Sequence, residues 1–473
     1  MTSADNLATF VTGAPAFGSA RLGGIDGMSS SQALVASARQ VADALRSVGI
    51  GPDEPVVVFV SNVPADITAF LGIWQAGGVA VPVHVGTPQR TAEALIARLG
   101  ARFAIRDGRV ESVGQAPPPS RPLLQGAALI VFTSGSTGQP KGVVLGHAGL
   151  VWKLQALARL LRLGKEDVVA VPLQLTFIFG IWASLLSLAS GAQLMLAPGL
   201  LKTGLGSHEG QVSVLAAVPT LLRNLCGRGA LPGPALRMVL TGGEPCGPEL
   251  ASALQAQAPG ATTFDLFGLT ETGSCDFCAR HPDAEDMAGT LGWATEGVAY
   301  RVQALPELSL PKGVGELQIK TPAGMLGYLD DPAQTAAAFA DGYFRTGDLA
   351  TVRDSGLVQL VGRSKDIVSR GGNKIAPLEI ENLFAEHPGV AAALAFGMPD
   401  DQLGERLHLM VVSAGEGAGD SASVTEGGLR AWAADRLERF KTPDVFHFVQ
   451  TLPVGRTGKA DRAAARAEVL SAR

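Results

Sequence analysis

Val131-Phe132-Thr133-Ser134-Gly135-Ser136-Thr137-Gly138-Gln139-Pro140-Lys141-Gly142 leaves a run of β-favouring residues and packs small, hydroxylated and glycine residues ahead of a lysine. A loop that approaches phosphates needs this composition. Glycines admit positive φ and let successive N–H groups turn inward, hydroxyls add donors, and Lys141 supplies charge. Pro140 stands where the Walker A pattern has its second glycine, so a nucleotide here is expected to be held in another way. A flexible surface loop would account for the small polar residues but not for the Pro-Lys-Gly ending.

Outward from this loop, helical patterns such as Ser31 to Val48 alternate with short β-rich runs: Val56 to Val60, Leu129 to Thr133, Val212 to Ala216 and Met238 to Thr241. Strands separated by helix-length segments are the sequence form of sheets wound by crossover helices. The expected fold is α/β, with a large multi-sheet N-terminal domain over residues 1–363. After Leu360-Val361-Gly362-Arg363 a short hydrophilic segment opens a smaller unit with its own strand and helix alternation. Residues 364–473 are therefore expected to form a small α+β C-terminal domain, joined by a hinge at Ser364 or Lys365. Two segments biased to Pro, Gly and Ser, Gln115 to Pro122 and Ala414 to Ser423, read as surface loops. No internal repeat of about 20 to 50 residues is present, which sets aside solenoids and propellers.

The chain has 473 residues, 47% hydrophobic and 17% charged, enough apolar material for a large core and more than one domain. With 38 Lys and Arg against 43 Asp and Glu there is no basic block to follow a phosphate backbone, so nucleic acid is not an expected partner. Cys226, Cys246, Cys275 and Cys278 are too few and too clustered to staple a chain of this size, and Asp5 stands where a secretion signal has basic residues. The expected location is a reducing cytoplasm. Val168 to Leu201 carries no charged residue and is long enough to cross a bilayer, yet Pro172, Gly180, Gly191 and Pro198 divide it. It is expected to be a buried strand, helix and strand over Val168–Leu173, Gly180–Leu188 and Gln193–Ala197, with no membrane span. Cys275 and Cys278, with His281 nearby, make only half of a structural zinc site. His147 reads as a structural residue, for example one that caps a helix.

The opening loop resembles the signature loop of the acyl-adenylate-forming enzymes, which include acyl-CoA synthetases, luciferases and peptide-synthetase adenylation domains. Further family motifs follow in order from about Phe132 to Lys459. The resemblance assigns Thr133, Ser134, Gly135, Ser136, Thr137, Gly138 and Lys141 to the nucleotide's phosphates. Phe264-Asp265-Leu266-Phe267-Gly268-Leu269-Thr270-Glu271-Thr272 resembles the segment in which an aromatic stacks on adenine, a threonine contacts phosphate and a glutamate holds magnesium. Those roles fall to Phe267, Thr270 and Glu271, with Gly268 and Gly243 beside the nucleotide. Phe267 replaces the commoner tyrosine and keeps the stacking face. Tyr343-Phe344-Arg345-Thr346-Gly347-Asp348-Leu349 resembles the segment whose aspartate, here Asp348, accepts from both ribose hydroxyls. Gly362-Arg363-Ser364-Lys365-Asp366 resembles the hinge motif, with Arg363 reaching the ribose and Lys365 as pivot. Ser369 to Glu381 resembles the loop that swings in for thioester formation, Gly371 and Gly372 lining the pantetheine tunnel. Leu452 to Arg462 resembles the loop whose lysine, Lys459, binds the carboxylate and α-phosphate.

The resemblance implies ATP-dependent activation of a carboxylic acid to an acyl-adenylate, then transfer to a thiol. Lys459, Thr270, Glu271 and Lys141 form the implied catalytic set, Glu271 is the implied metal ligand, and ATP, Mg²⁺ and CoA are the implied cofactors. A carrier-protein phosphopantetheine is the alternative acceptor and an unusual oxyacid the alternative substrate. A non-catalytic nucleotide-binding regulator would lack the lysines, and this chain has Lys141 and Lys459 together with Glu271. The acid pocket is implied between Leu175 to Trp182, Thr241 to Gly243 and Phe267 to Ser274, with Phe177, Gly180, Thr241, Gly242, Leu269 and Ser274 on its wall. Phe177 stands where many aryl and acyl ligases of the family have a histidine. Between Val168 and Leu201 there is no acid to meet an α-amine and no base to meet a second carboxylate, which leaves a small aromatic or an aliphatic acid. A homodimer is compatible with this reading.

Overall fold

The computed structural model describes all residues except 1–5, 25–26, 117, 134–139, 197, 199–209, 245, 282–288, 309, 415–423, 455–459 and 472–473. Contacts divide the chain into two units: Met1–Tyr300 with Ile319–Phe344, and Arg301–Gln318 with Arg345–Arg473. This division falls ahead of the 363/364 boundary expected from the sequence. The strand Val358–Arg363 is hydrogen-bonded in antiparallel register to the strand before it, from Val352↔Val358 to Asp348↔Arg363. Both arms of that hairpin therefore fall in the second unit by their contacts.

The first unit is built on two large sheets. Among the described residues, one has nine strands, in the spatial order Trp293–Ala294, Phe277–His281, Thr262–Phe267, Met238–Gly242, Val214–Ala216, Val168–Val171, Gln193–Leu196, Arg21–Gly24 and Gly27–Ser30. The other has seven: Gly327–Tyr328, Lys141–Gly146, Ala127–Thr133, Val79–His84, Pro55–Val60, Phe103–Arg106 and Arg109–Ser112. Pro55–Val60 is buried at every position and pairs in parallel with a strand on each side. An unbroken apolar strand is what a sheet covered on both faces requires, each buried valine contributing about 1.5–3 kcal/mol. The helix Ser31–Ser47 starts where the Ser30 hydroxyl accepts the Ala33 N–H at 3.2 Å, and buries Leu34, Ala38, Val41 and Leu45 along one stripe.

The uncharged stretch from Val168 is a strand, helix and strand, as expected. Val168–Val171 and Gln193–Leu196 pair in parallel from Val168↔Gln193 to Val171↔Leu196, and Ile178–Ala189 is the helix between them. That helix is buried on nearly every face, which accounts for its lack of charge. No helix among the described residues is long and apolar enough to cross a membrane.

His147 caps a helix, but not its own. It opens the helix His147–Leu161, and its Nδ1 accepts the N–H of Leu7, the first residue of the helix Leu7–Thr12, at 3.2 Å. An acceptor Nδ1 places the proton on Nε2. Burial pushes the imidazole down to about 4. The unfolded chain binds this proton below its ordinary value of 6.5 and the folded chain resists until about 4. The contribution is therefore complete above pH 6.5 and is lost as pH falls toward 4, by at most about 3 kcal/mol. Urea midpoints should fall between pH 7.5 and 5, and His147→Gln should flatten that fall while lowering the midpoint at pH 7.5.

The second unit is α+β. Asn373–Ile375, Val368–Arg370, Gly404–Ser413 and Val390–Asp400 form an antiparallel sheet, and Val445–Val449 adds in parallel to Gly404–Ser413. The helices Pro377–Ala385 and Glu426–Ala434 bury Ile380, Phe384 and Leu429 in a core with Val368, Ile375 and Leu409. Of the expected loop Ala414 to Ser423, all but Ala414 lies outside the described residues.

Candidate active site

Met238–Gly242 and Thr262–Phe267 are parallel neighbours in register Thr241↔Asp265 and Gly242↔Leu266. The segments that follow them, Gly243 and Gly268–Asp276, therefore leave the same edge of the sheet. Crevices at the carboxyl ends of parallel strands are where such sheets bind ligands. Gly242 is a glycine by necessity, because a Cβ there would lie 2.3 Å from the Leu266 carbonyl oxygen. Thr241 is fully buried, and its Oγ1 has no hydrogen-bond partner among the described residues.

The phosphate-type loop is a hairpin connection. Ala127–Thr133 and Lys141–Gly146 are antiparallel, with Thr133 directly opposite Lys141. Walker A loops run from a strand into a helix, and this one returns as a strand, in keeping with Pro140 at the position of that motif's second glycine. Ser134, Gly135, Ser136, Thr137 and Gly138 lie outside the described residues. Arg98 fastens the loop's end, donating to the Pro140 carbonyl at 2.7 Å with its guanidinium 5.7 Å from the Phe132 ring centre.

Thr270–Thr272 is a short 3₁₀ turn, with Phe267 ending the strand before it and standing edge-on to Phe277 at 6.1 Å. The Glu271 carbonyl accepts the Met325 N–H at 2.8 Å, and its carboxylate accepts the Tyr328 hydroxyl at 3.0 Å. Tyr328 lies on Gly327–Tyr328, which pairs with Lys141–Gly146, and the Lys141 ammonium is 5.2 Å from the Tyr328 ring centre. One strand pairing thus gathers Lys141, Tyr328 and Glu271. Burial, then the Glu271 charge, raise the Tyr328 hydroxyl above its ordinary value, so it stays a donor. Tyr328 carried no signal in the sequence: a tyrosine in a two-residue strand matches no spacing pattern, and only the pairing identifies it.

On the implied acid pocket, Phe177 is 42% exposed at the N-cap of Ile178–Ala189, and a Cβ on Gly180 would lie 2.6 Å from the Gln174 carbonyl oxygen. Leu269 is the N-cap of the 3₁₀ turn, and Ser274 follows it at φ +71°. Cys275 and Cys278 are buried and make no disulfide. No group of three or more His, Cys, Asp or Glu among the described residues could hold a metal ion.

In the second unit Asp348 is 2% exposed. Its Oδ1 meets Arg363 Nε at 2.7 Å, its N–H donates to Thr346 Oγ1 at 3.0 Å, and its Oδ2 has no partner among the described residues. Burial raises its pKa above the usual carboxylate value, and Arg363 opposes the rise. Lys365 lies in the 3₁₀ turn Ser364–Asp366. Gly371 and Gly372 form the two-residue turn between Val368–Arg370 and Asn373–Ile375, at φ +55° and +84°, as a type I′ hairpin needs. Lys459 lies outside the described residues.

These residues fit the groups the motifs imply. The orphaned acceptor at Asp348 Oδ2 suits a ribose hydroxyl, since a buried carboxylate oxygen without a donor is costly. A lone carboxylate such as Glu271 suits Mg²⁺, which is commonly held by one or two carboxylates together with substrate phosphates.

The profile of the AMP-binding enzyme family matches residues 28–124 and 107–329, and that of the AMP-binding enzyme C-terminal domain matches 379–459. The chain belongs to the AMP-binding enzyme family, within the acyl-adenylate-forming superfamily. It is similar to a feruloyl-CoA synthase of Amycolatopsis sp, 28% identical over 450 residues that cover 89% of this chain and 90% of the relative. A long-chain-fatty-acid–CoA ligase, FadD13 of Mycobacterium tuberculosis, is 28% identical over 459 residues, 90% of each chain. Among solved structures, the anthranilate CoA ligase AuaEII in complex with anthranoyl-AMP shares the fold at a TM-score of 0.85 and 20% identity, covering 100% of both chains.

Proposed function

We propose that this chain is an AMP-forming acid–thiol ligase: it activates a carboxylic acid with ATP, releases pyrophosphate, and transfers the acyl group to coenzyme A. The gathering of Lys141, Tyr328 and Glu271 at the base of the phosphate-type loop carries this reading. Family membership and similarity to CoA ligases support it. A carboxylate is a poor electrophile because its leaving group would be oxide. Attack on the α-phosphorus of ATP gives a mixed anhydride whose leaving group is AMP. Glu271 would hold Mg²⁺, which would supply neutralising charge to phosphoryl oxygens. Lys141 and Lys459 would bind and orient the phosphates and the carboxylate, a positioning and electrostatic task. Lys459 would leave for thiol attack as residues 364–473 pivot at Lys365 and bring in Gly371-Gly372.

The acid would be a small aromatic or an aliphatic one. The uncharged helix Ile178–Ala189 supports this, as do the names of two relatives, the feruloyl-CoA synthase and the long-chain-fatty-acid–CoA ligase. The cytoplasm would be the working compartment. The test is ATP-dependent pyrophosphate release over aromatic, fatty, dicarboxylic and amino acids, with and without CoA. Release should depend on one acid class, and CoA should yield the acyl-CoA. Acceleration by a pantetheinylated carrier protein and not by CoA would move the acceptor, and silence with every acid would overturn the reading.

A further inference from the structure

Lys153 is 1% exposed, on the apolar stripe of the helix His147–Leu161 between Leu150 and Leu154. Its ammonium lies 3.3 Å from Asp276 Oδ1 and donates to the Cys275 carbonyl at 3.2 Å. Asp276 is fully buried, and its other oxygen accepts the hydroxyl of Thr272. Thr272 Oγ1 in turn accepts the Leu269 N–H at 3.2 Å, and the Asp276 N–H donates to the Phe267 carbonyl at 2.7 Å. The pair thus ties the helix to both ends of the segment Phe267–Asp276.

That segment is held in a conformation its residues avoid. Gly273, Ser274 and Cys275 stand in succession at φ +75°, +71° and +52°, and two of the three carry side chains. Non-glycine residues persist there only when their surroundings over-determine them, commonly at functional sites. The Cys275 carbonyl is gripped from outside the segment by Lys153 and by the Thr295 hydroxyl at 2.7 Å. Gly268 lies so close beneath that a Cβ would approach the Cys275 nitrogen to 2.3 Å, so any shift at 274–275 reaches Gly268 and Phe267. A buried ion pair is seldom retained for stability, because an apolar pair of similar volume is often equal or better.

We propose that Lys153 and Asp276 are a positioning pair for adenylation, holding the strained Phe267–Asp276 segment so that Thr270 and Glu271 face the nucleotide and Leu269 and Ser274 face the acid. This rests on the proposed ligase function. Burial pushes the Asp276 carboxyl up to about 6, with the Lys153 charge the largest influence pulling it down.

The experiment uses the full chain, the acid of the panel with the highest turnover, and calorimetric titration with AMP. Lys153→Met should lower kcat for pyrophosphate exchange about 10- to 100-fold, the scale of an ångström-level misplacement. The double variant Lys153→Met with Asp276→Asn has no buried charge to compensate; its melting temperature should approach that of the wild type while kcat stays low. Lys153→Arg should recover part of kcat. AMP affinity should fall far less than kcat in all three. A double variant with wild-type melting temperature and wild-type kcat would overturn the proposal, as would a kcat loss no larger than the loss of folded protein. A wild-type chain silent with every acid would instead overturn the ligase reading.

Discussion

Lys459→Ala should lower acid-dependent pyrophosphate release about 10²- to 10³-fold, yet leave thioester formation from preformed acyl-adenylate within about threefold of the wild type. The asymmetry follows from the chemistry of the two steps. In the first, two anions meet: a carboxylate approaches a phosphorus surrounded by negatively charged oxygens, and a cation bridging both removes the repulsion as the new bond forms. In the second, a neutral acyl carbon is attacked and AMP departs, so a lysine across the attacked face would obstruct. Lys459→Arg keeps the charge but not the compact ammonium, and should recover only part of the first step. Single-turnover measurement of each step, with CoA and synthetic adenylate for the second, separates them. Equal loss in both steps would show that Lys459 acts on something common to them, such as adenylate binding.

The fold was legible wherever one residue pattern had one structural solution. Val56 to Val60 could only be a strand buried on both faces, and inside Val168 to Leu201 Pro172 and Gly191 fall between the strand, helix and strand observed, while Gly180 lies within the helix. Motif order carried the family because each loop's residues are set by the ligand they approach. Tyr328 was not legible, because it joins Glu271 through a strand pairing far along the chain. Lys153 left a trace that could have been used: a lysine on an otherwise apolar helix stripe needs a buried partner. Nothing in sequence distance pointed to Asp276 as that partner. The contact boundary near 345 was hidden for a similar reason, since the hydrophilic break at 364 is conspicuous while the pairing Asp348↔Arg363 is not.

Glu271→Gln should lower kcat/KM for adenylation about 10²-fold and move the half-saturating Mg²⁺ concentration upward. Tyr328→Phe should cost about tenfold and leave the Mg²⁺ dependence in place. The two substitutions divide what the 3.0 Å contact combines. Glutamine preserves the shape and an acceptor for the Tyr328 hydroxyl but removes the charge a hard divalent cation needs. Phenylalanine preserves that charge and the ring beside Lys141, and removes only the hydrogen bond that orients the carboxylate. If the carboxylate is the protein's contribution to the metal, excess Mg²⁺ should restore part of the activity of Glu271→Gln and none of that lost in Tyr328→Phe. If its work is instead to fix Tyr328 over Lys141, Glu271→Gln, which keeps an acceptor for the hydroxyl, should lose no more activity than Tyr328→Phe, and both Mg²⁺ curves should coincide with the wild type. The titration decides because only a ligand changes the affinity of the ion, whereas a support for the aromatic ring changes the rate at every concentration of it.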